Sequence, residues 1–169
     1  SYEKSAYGSR ANGDYQKYIR AGSKGVTNHA APKLGDINMK RLEHIPQGGS
    51  WRDIPFDLLP KGMKRAKRSD HTKRYGRLRW DGLSSTILTK CDIHWGAYIH
   101  PEQDRSISVR EAARFQSFPD WFEFSGSRTE QYVQVGNAVP PLLGKKMAEA
   151  IMAVESGEAI PNQQLSLIA

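Results

Sequence analysis

The sequence predicts an α+β fold in which a small irregular domain with short antiparallel strands is followed by helices. Two short runs with strand character, residues 77–80 and 85–89, flank a turn at Asp81-Gly82. A helix signal begins at Ser108, and an amphipathic helix is predicted over residues 141–154. The strands therefore precede the main helices along the chain.

The other predicted elements are short. Residues 15–20 fit one helical turn, and residues 37–44 fit a helix that Asp36 caps and that ends before Pro46. Residues 97–99 are a third strand candidate. Residues 121–133 are predicted to form a loop held by aromatic side chains.

Positive charge is concentrated in one part of the chain, residues 61–80, which we call the basic segment. The net charge of the whole chain is +7, whereas the basic segment alone has nine cations and one acid, so the remainder is about neutral. Such a run is typical of a polyanion-binding surface, although a solvated loop that binds nothing has the same composition. The nine cations are Lys61, Lys64, Arg65, Lys67, Arg68, Lys73, Arg74, Arg77 and Arg79.

Two blocks contain the strongest local signals. Residues 105–120 read Arg-Ser-Ile-Ser-Val-Arg-Glu-Ala-Ala-Arg-Phe-Gln-Ser-Phe-Pro-Asp. Within them, Ser108 and Glu111 have the spacing of a capping box, and Pro119 cannot extend a helix. Residues 134–141 read Gln-Val-Gly-Asn-Ala-Val-Pro-Pro, where the Gly-Asn pair predicts a tight turn and the prolines predict the first turn of a helix.

These blocks resemble the last two motifs of the DNA cytosine-5 methyltransferases, in the order found in that family. Residues 71–101 also resemble the end of the family's target-recognition region, through Arg74-Tyr-Gly-Arg-Leu, Ser85-Thr-Ile and His100-Pro. The resemblance is good over residues 75–151 and loose over the first 60 residues. It implies helices that pack on a Rossmann-like, S-adenosylmethionine-dependent methyltransferase domain that this chain lacks.

The upstream motifs of the family do not occur in the sequence: a Gly-rich cofactor loop, a Pro-Cys nucleophile, a Glu-Asn-Val triplet and a Gln-x-Arg-x-Arg block. We therefore expect a C-terminal part of such an enzyme, either a cut fragment or a subunit of a split enzyme, without catalytic residues and inactive alone. The expected organisation is a target-recognition region at residues 1–104, the motifs that return to the catalytic domain at residues 105–157, and a tail at residues 158–169.

The resemblance implies methyl transfer from S-adenosylmethionine to carbon 5 of cytosine in DNA, as in restriction–modification systems. The chain would complete the cofactor site with Gly136, Asn137 and Val139. The predicted DNA-binding residues are Arg74, Arg77, Arg79, Thr86 and Lys90. Expected partners are double-stranded DNA and the N-terminal catalytic portion or subunit. Without the latter, the last helix would expose an apolar face or associate with a second copy.

Two other functions compete with this interpretation. A stand-alone, non-catalytic DNA-binding module derived from such an enzyme would need no cofactor residues. An unrelated enzyme would need its own acid–base group, for which Asp92, His94 and His100 are the nearest candidates.

The single cysteine, Cys91, offers two readings. With His94 and His100 it could suggest a zinc site, but a structural site uses four ligands, so a buried, inert thiol is preferred and no metal is expected. One cysteine and no apolar run long enough for a membrane predict an intracellular protein, cytoplasmic if bacterial.

Overall fold

The computed structural model describes residues 4–157, which fall into two compact units divided between Ala138 and Val139. The predicted tail, residues 158–169, lies outside the described residues. The division at residue 104, predicted on functional grounds, does not coincide with this structural division and stays a prediction. Each unit is described by itself below.

The first unit has four α-helices and three single turns of 3₁₀-helix within its described residues. The predicted helices near residues 15–20, 37–44 and 109 are confirmed. The predicted cap at Asp36 is wrong, because Gly35 is the N-cap residue and Asp36 lies in the first turn. The α-helices are α1 (Asp14–Arg20), α2 (Asp36–Leu42), α3 (Val109–Phe115) and α4 (Arg128–Asn137), and the 3₁₀ turns are Trp51–Asp53, Phe56–Leu58 and Met63–Arg65.

Extended pairing between the described residues is limited to isolated bridges. Ser5 pairs with Val26, and Ile99 pairs with both Arg77 and Ser106. The bridges at Arg77 and Ile99 fall within two of the predicted strands, but the predicted hairpin between residues 77–80 and 85–89 is wrong. Residues 85–89 have other contacts instead: Ile87 is buried in the core, and the carbonyl oxygen of Thr86 accepts a hydrogen bond from the Tyr98 hydroxyl at 2.8 Å.

Two hydrophobic cores stabilise the first unit. One lies around α3 and α4, and its larger members are Leu78, Ile87, Tyr98, Ile107, Phe118, Phe124 and Tyr132. The other lies around α2 and the 3₁₀ turns, and consists of Leu42, Ile45, Trp51, Ile54, Met63, Tyr75, Ile93 and Ile99. The basic segment crosses the second core and, at Leu78, reaches the first, so its backbone is anchored to packed side chains.

A buried arginine connects α3 to two loops. The Arg110 side chain is fully buried, and its guanidinium donates to the carbonyl oxygens of Thr27 at 3.1 Å, Pro119 at 3.2 Å and Phe122 at 2.6 Å. The pKa of Arg110 is lowered, because the effect of burial outweighs the opposing effect of the nearby Asp120 charge. Of these three acceptors only Thr27 is a buried residue, so the guanidinium chiefly satisfies the Thr27 carbonyl and joins α3 to the segments that contain Thr27 and Phe122.

The start of α3 has the predicted capping box. The Ser108 hydroxyl accepts from the backbone N–H of Glu111 at 3.2 Å, and the Glu111 carboxylate accepts from the N–H of Ser108 at 2.7 Å. The same carboxylate forms two hydrogen bonds of 2.8 Å with Arg105. Burial by itself would raise the pKa of Glu111, but the bonds from Arg105 and Ser108 outweigh burial and lower it to about 2.

Helix α4 occupies part of the predicted loop at residues 121–133 and the predicted turn at Gly136-Asn137. Ser127 and Glu130 form a capping box at its start, a Ser-x-x-Glu spacing that is visible in the sequence. Gly136 lies in its last turn, where an added Cβ would stand 2.4 Å from the nitrogen of Thr89 and 2.5 Å from the carbonyl carbon of Leu88. The helix therefore packs directly on the backbone of residues 88–89.

The second unit contains α5 (Pro141–Glu155), as predicted. Gly157 follows the C-cap residue with φ +71°, and its N–H donates to the carbonyl of Val154, so this glycine ends the helix. Leu143, Met147 and Ile151, which share one helix face, are each more than half exposed. Among residues 4–157, no helix has the length and apolar character of a membrane span.

Arg110→Met should lower the free energy of unfolding by about 3 kcal/mol, because the buried carbonyl of Thr27 loses its donor and the guanidinium bonds to Pro119 and Phe122 are lost as well. Arg110→Lys should recover only part of the loss, since an ammonium cannot reach three separated acceptors. Urea unfolding measures the effect, and Arg128→Met, at an exposed position of α4, is the control. An Arg110→Met protein as stable as this control would contradict the structural role.

Glu111 should make stability depend on pH in the acid range. Because its folded pKa is about 2 and therefore below the ordinary value of 4.5, its contribution is fully present above about pH 4.5 and is lost as pH falls towards 2. The contribution is on the order of 2–3 kcal/mol. Urea unfolding between pH 6 and pH 3 should give a flatter profile for Glu111→Gln, whereas the exposed Glu43→Gln keeps the wild-type profile.

Gly136→Ala should destabilise the protein by about 1–3 kcal/mol, because a methyl group would collide with the backbone at residues 88–89. Gly144 is the matched control, since it is also helical but has nothing within 4 Å of an added Cβ. Gly144→Ala should be neutral or stabilising by up to about 1 kcal/mol. Equal thermal stability of the two variants would show that α4 can move away from residues 88–89 without cost.

Candidate nucleic-acid interface and cofactor segment

The first part of the basic segment lies on the surface. Its cations up to Lys73 are all exposed. Some of them also brace the loop: Lys64 donates to the carbonyl of Asp57 at 3.3 Å, and Arg68 donates to that of Arg52 at 3.3 Å. The segment therefore presents several positive charges to solvent from a loop that hydrogen bonds attach to residues 52 and 57.

The second part of the basic segment, from residue 71 onwards, is held in place by hydrogen bonds to Trp51 on one side and to residues 93–96 on the other. The buried Trp51 donates from its backbone N–H to the Arg74 carbonyl at 3.0 Å and from its indole to the His71 carbonyl at 3.1 Å. On the other side, Tyr75 donates to the Ile93 carbonyl at 2.7 Å and Gly76 to the Gly96 carbonyl at 3.2 Å. Residues 71–76 and 93–96 are thereby held next to each other.

This pairing brings Arg74 against Trp95. The Arg74 guanidinium carbon lies 5.1 Å from the centre of the Trp95 ring, within the range of a cation–π contact. The two side chains border an open concavity of about 390 Å³, which is also lined by Ser69, His71, Thr72 and Lys73. An exposed lysine and a half-buried arginine beside an exposed aromatic ring form a surface suited to nucleic acid.

Arg77, one of the predicted DNA-binding residues, is buried. Its guanidinium donates to the carbonyl oxygens of Ile45 at 2.6 Å, Leu42 at 2.9 Å and His100 at 3.0 Å, and it pairs with Asp104. A contact between Arg77 and DNA would require several of these bonds to break. The observed contacts are those of a residue that joins α2 to the loop after Ile99.

The other three predicted DNA-binding residues are exposed. Arg79 forms a two-bond ion pair with Asp81, at 2.9 and 2.7 Å. The Asp81 hydrogen bonds raise the pKa of Arg79, and those from Arg79 lower the pKa of Asp81. Thr86 and Lys90 lie in the irregular segment between the Asp81-Gly82 turn and Cys91. The structure thus brings Arg74 and Lys73 together at the concavity and leaves Arg79, Thr86 and Lys90 outside its lining.

The predicted cofactor residues lie at a junction of the chain. Gly136 and the exposed Asn137 form the end of α4 in the first unit, whereas Val139, which is 62% exposed, begins the second unit. Gly136 makes its close contact with the chain's own backbone at residues 88–89. Asn137 and Val139 have the exposure that a ligand contact requires.

Cys91 is a poor nucleophile in this structure. The thiol is buried, and burial raises its pKa to about 12. His94 pairs instead with Asp92, and His100 accepts the backbone N–H groups of Glu102 and Gln103, each at 3.1 Å. Among residues 4–157, no group of three or more His, Cys, Asp or Glu side chains is arranged to hold a metal ion.

Trp95 is the residue at this surface that sequence reasoning missed. It stands 21 positions after Arg74 in a stretch without a helix or strand period. The sequence therefore does not predict that the two side chains meet. The one signal available was the residue type itself, since tryptophan is enriched at interfaces.

The chain is similar to known proteins of one family. The model of the C-5 cytosine-specific DNA methylase family matches residues 4–153. The type II methylase M.HgiDII of Herpetosiphon aurantiacus is 40% identical over 132 residues, which cover 75% of this chain and 37% of that protein. DNA (cytosine-5)-methyltransferase 1A of Oryza sativa subsp. japonica is 38% identical over 168 residues, which cover 87% of this chain and 11% of that protein.

The chain therefore spans little more than a third of the length of the first relative and about a tenth of the second. A crystal structure described as a DNA modification methyltransferase encoded within a prophage (E. coli) has a TM-score of 0.57 and 21% identity. The match covers 86% of this chain and 39% of that one, and at this identity it concerns the fold alone. Since the family model extends over almost all of the described residues, the chain belongs to the C-5 cytosine-specific DNA methylase family.

Proposed function

We propose that this chain acts as the C-terminal part, or a subunit, of a DNA cytosine-5 methyltransferase, in which it supplies target recognition and completes the cofactor site. The observation that carries the proposal is the exposed, partly preorganised basic surface within a chain that matches only a portion of its relatives. Positive side chains held by a rigid backbone favour the phosphates of DNA.

In this proposal the first unit binds DNA. Arg74 and Lys73 contact phosphates from the concavity, and Arg79, Thr86 and Lys90 contribute from the neighbouring loop. Arg77 does not bind DNA in this proposal, because its donors are already used by backbone carbonyls. It supports the surface by joining α2 to the loop after Ile99. Base specificity then depends on exposed side chains between the Asp81-Gly82 turn and Lys90.

The cofactor segment has a structural link to that loop. S-adenosylmethionine supplies the methyl group when it is bound. Asn137 and Val139, which are both exposed, would contact it, and Gly136 would act indirectly. Because Gly136 lets α4 touch the backbone at residues 88–89, the end of α4, where Asn137 lies, is packed against the segment that also contains Thr86. Recognition of DNA and completion of the cofactor site would then share one rigid contact.

The chemical step would belong to another polypeptide or an upstream region. Addition of a thiolate to the cytosine ring needs a reactive cysteine, and the pKa of the buried Cys91 is raised to about 12. The target base must also leave the duplex before it can react, so the surface here would hold the DNA around an extruded base.

The decisive experiment measures transfer of labelled methyl groups from S-adenosylmethionine to DNA. The chain alone should be inactive, and a mixture with a polypeptide that contains the upstream family motifs should be active. In the mixture, Asn137→Ala should raise the KM for S-adenosylmethionine by about ten-fold, equivalent to about 1.4 kcal/mol. Val133→Ala, at an exposed position of the same helix, is the control and should leave KM unchanged.

Activity of the chain alone would refute the proposal and would direct attention to Cys91. Salt-sensitive DNA binding by the chain, with no activity in the mixture, would instead favour a stand-alone DNA-binding module. An Asn137→Ala protein with unchanged KM would remove this residue from the proposed cofactor site.

A further inference from the structure

The contact between Arg74 and Trp95 differs from the other arginine contacts of the basic segment. Arg68, Arg77 and Arg79 donate to carbonyl or carboxylate oxygens of the protein. Within residues 4–157, the Arg74 guanidinium has no such hydrogen bond or ion pair, and its recorded contact is the Trp95 ring. Its N–H donors are therefore available to an external acceptor.

The backbone holds the two residues next to each other, so that the Trp95 ring can orient the Arg74 guanidinium. Arg74 lies next to Tyr75 and Gly76, which donate to the carbonyls of Ile93 and Gly96, and Trp95 lies between those two acceptors. Gly76 and Gly96 are also closely packed: an added Cβ would stand 2.6 Å from Ala97 at the first and 2.6 Å from the Tyr98 ring at the second. The pair is thus preorganised.

We propose that Arg74 and Trp95 form a clamp for a single phosphate of the DNA backbone, in which Trp95 is a positioning residue. This inference rests on the proposed DNA-binding function and assigns one of its contacts. The guanidinium carbon lies over the Trp95 ring, and the guanidinium makes no hydrogen bond within residues 4–157, so the donors on its edge away from the indole are left for a ligand. A phosphate can then accept two parallel hydrogen bonds from the exposed edge.

The concavity supports a phosphate over an apolar ligand. Its lining contains the cation Lys73 and the polar side chains of Ser69, His71 and Thr72, with no acidic residue. Trp95 is 56% exposed and belongs to neither hydrophobic core. Its contact with the guanidinium is therefore not needed for the packing of the unit. Its removal should change binding while the fold is retained.

The test measures the Kd for a duplex DNA at several salt concentrations between about 50 and 200 mM. Trp95→Ala should weaken binding by roughly three-fold to ten-fold with an unchanged salt slope, because no charge is lost. Trp95→Phe should restore most of the affinity. Arg74→Ala should weaken binding further and reduce the salt slope by about one, and Arg74→Lys should keep the slope without recovering the affinity.

Coupling between the two residues distinguishes a clamp from two separate contacts. The double variant Arg74→Ala, Trp95→Ala should bind no more weakly than Arg74→Ala alone. The matched control is Arg65, an exposed arginine of the same segment: the effects of Arg65→Ala and Trp95→Ala should multiply. Thermal unfolding of each variant confirms that the fold is retained.

Each other outcome overturns the inference. Wild-type affinity of Trp95→Ala, or independent effects of the two substitutions, would exclude the clamp and leave the proposed function intact. A Trp95→Phe protein as weak as Trp95→Ala would mean that the indole contacts DNA directly rather than positioning Arg74. Failure of the unsubstituted chain to bind DNA would refute both the inference and the proposed DNA-binding role.

Discussion

The first unit depends on the burial of one guanidinium group. Arg110 lies on a helix of only seven residues, too short to be stable by itself, and donates to carbonyls from two distant loops. The side chain of Asn28, with φ +59°, exchanges two hydrogen bonds with the backbone of Phe124 beside it. Because the buried Thr27 carbonyl would be costly without a donor, these bonds make the loops and the helix stabilise one another.

A second arginine of α3, Arg114, is held by a carboxylate instead of by carbonyl groups. Its guanidinium forms two hydrogen bonds with the fully buried carboxylate of Asp120, at 2.9 and 2.7 Å. Asp120 also accepts from the Tyr7 hydroxyl at 2.7 Å, and its own N–H donates to the carbonyl of Ile19 at 2.7 Å. These bonds attach the N-terminal segment and α1 to the loop after α3. The order of this loop-rich unit therefore comes largely from side chains that bond to backbone groups rather than from strands.

The attachment of these loops to the rest of the first unit affects how they would bind DNA. The surfaces that we assign to DNA are loops, but each is held by a specific constraint: Trp51 beneath the basic segment, Arg77 between α2 and the loop after Ile99, and Gly136 against residues 88–89. A loop that is already ordered loses less conformational entropy on binding and presents its cations in a defined arrangement. Sequence variation in the exposed positions could then alter the recognised site without disturbing the supports.

The sequence by itself determined the family motifs, the cap of α3, the extent of α5 and the location of positive charge, because each depends on neighbours within a few residues. Even the missed α4 had its own Ser-x-x-Glu signal at Ser127. Only the tertiary structure decided the surroundings of each arginine: Arg74 and Arg77 are three positions apart, yet the half-buried Arg74 lines a concavity and Arg77 is buried among carbonyls. It likewise decided that Trp95 meets Arg74 and that the close approach at Gly136 is to protein backbone. Those outcomes depend on contacts between distant segments, for which local spacing contains no information.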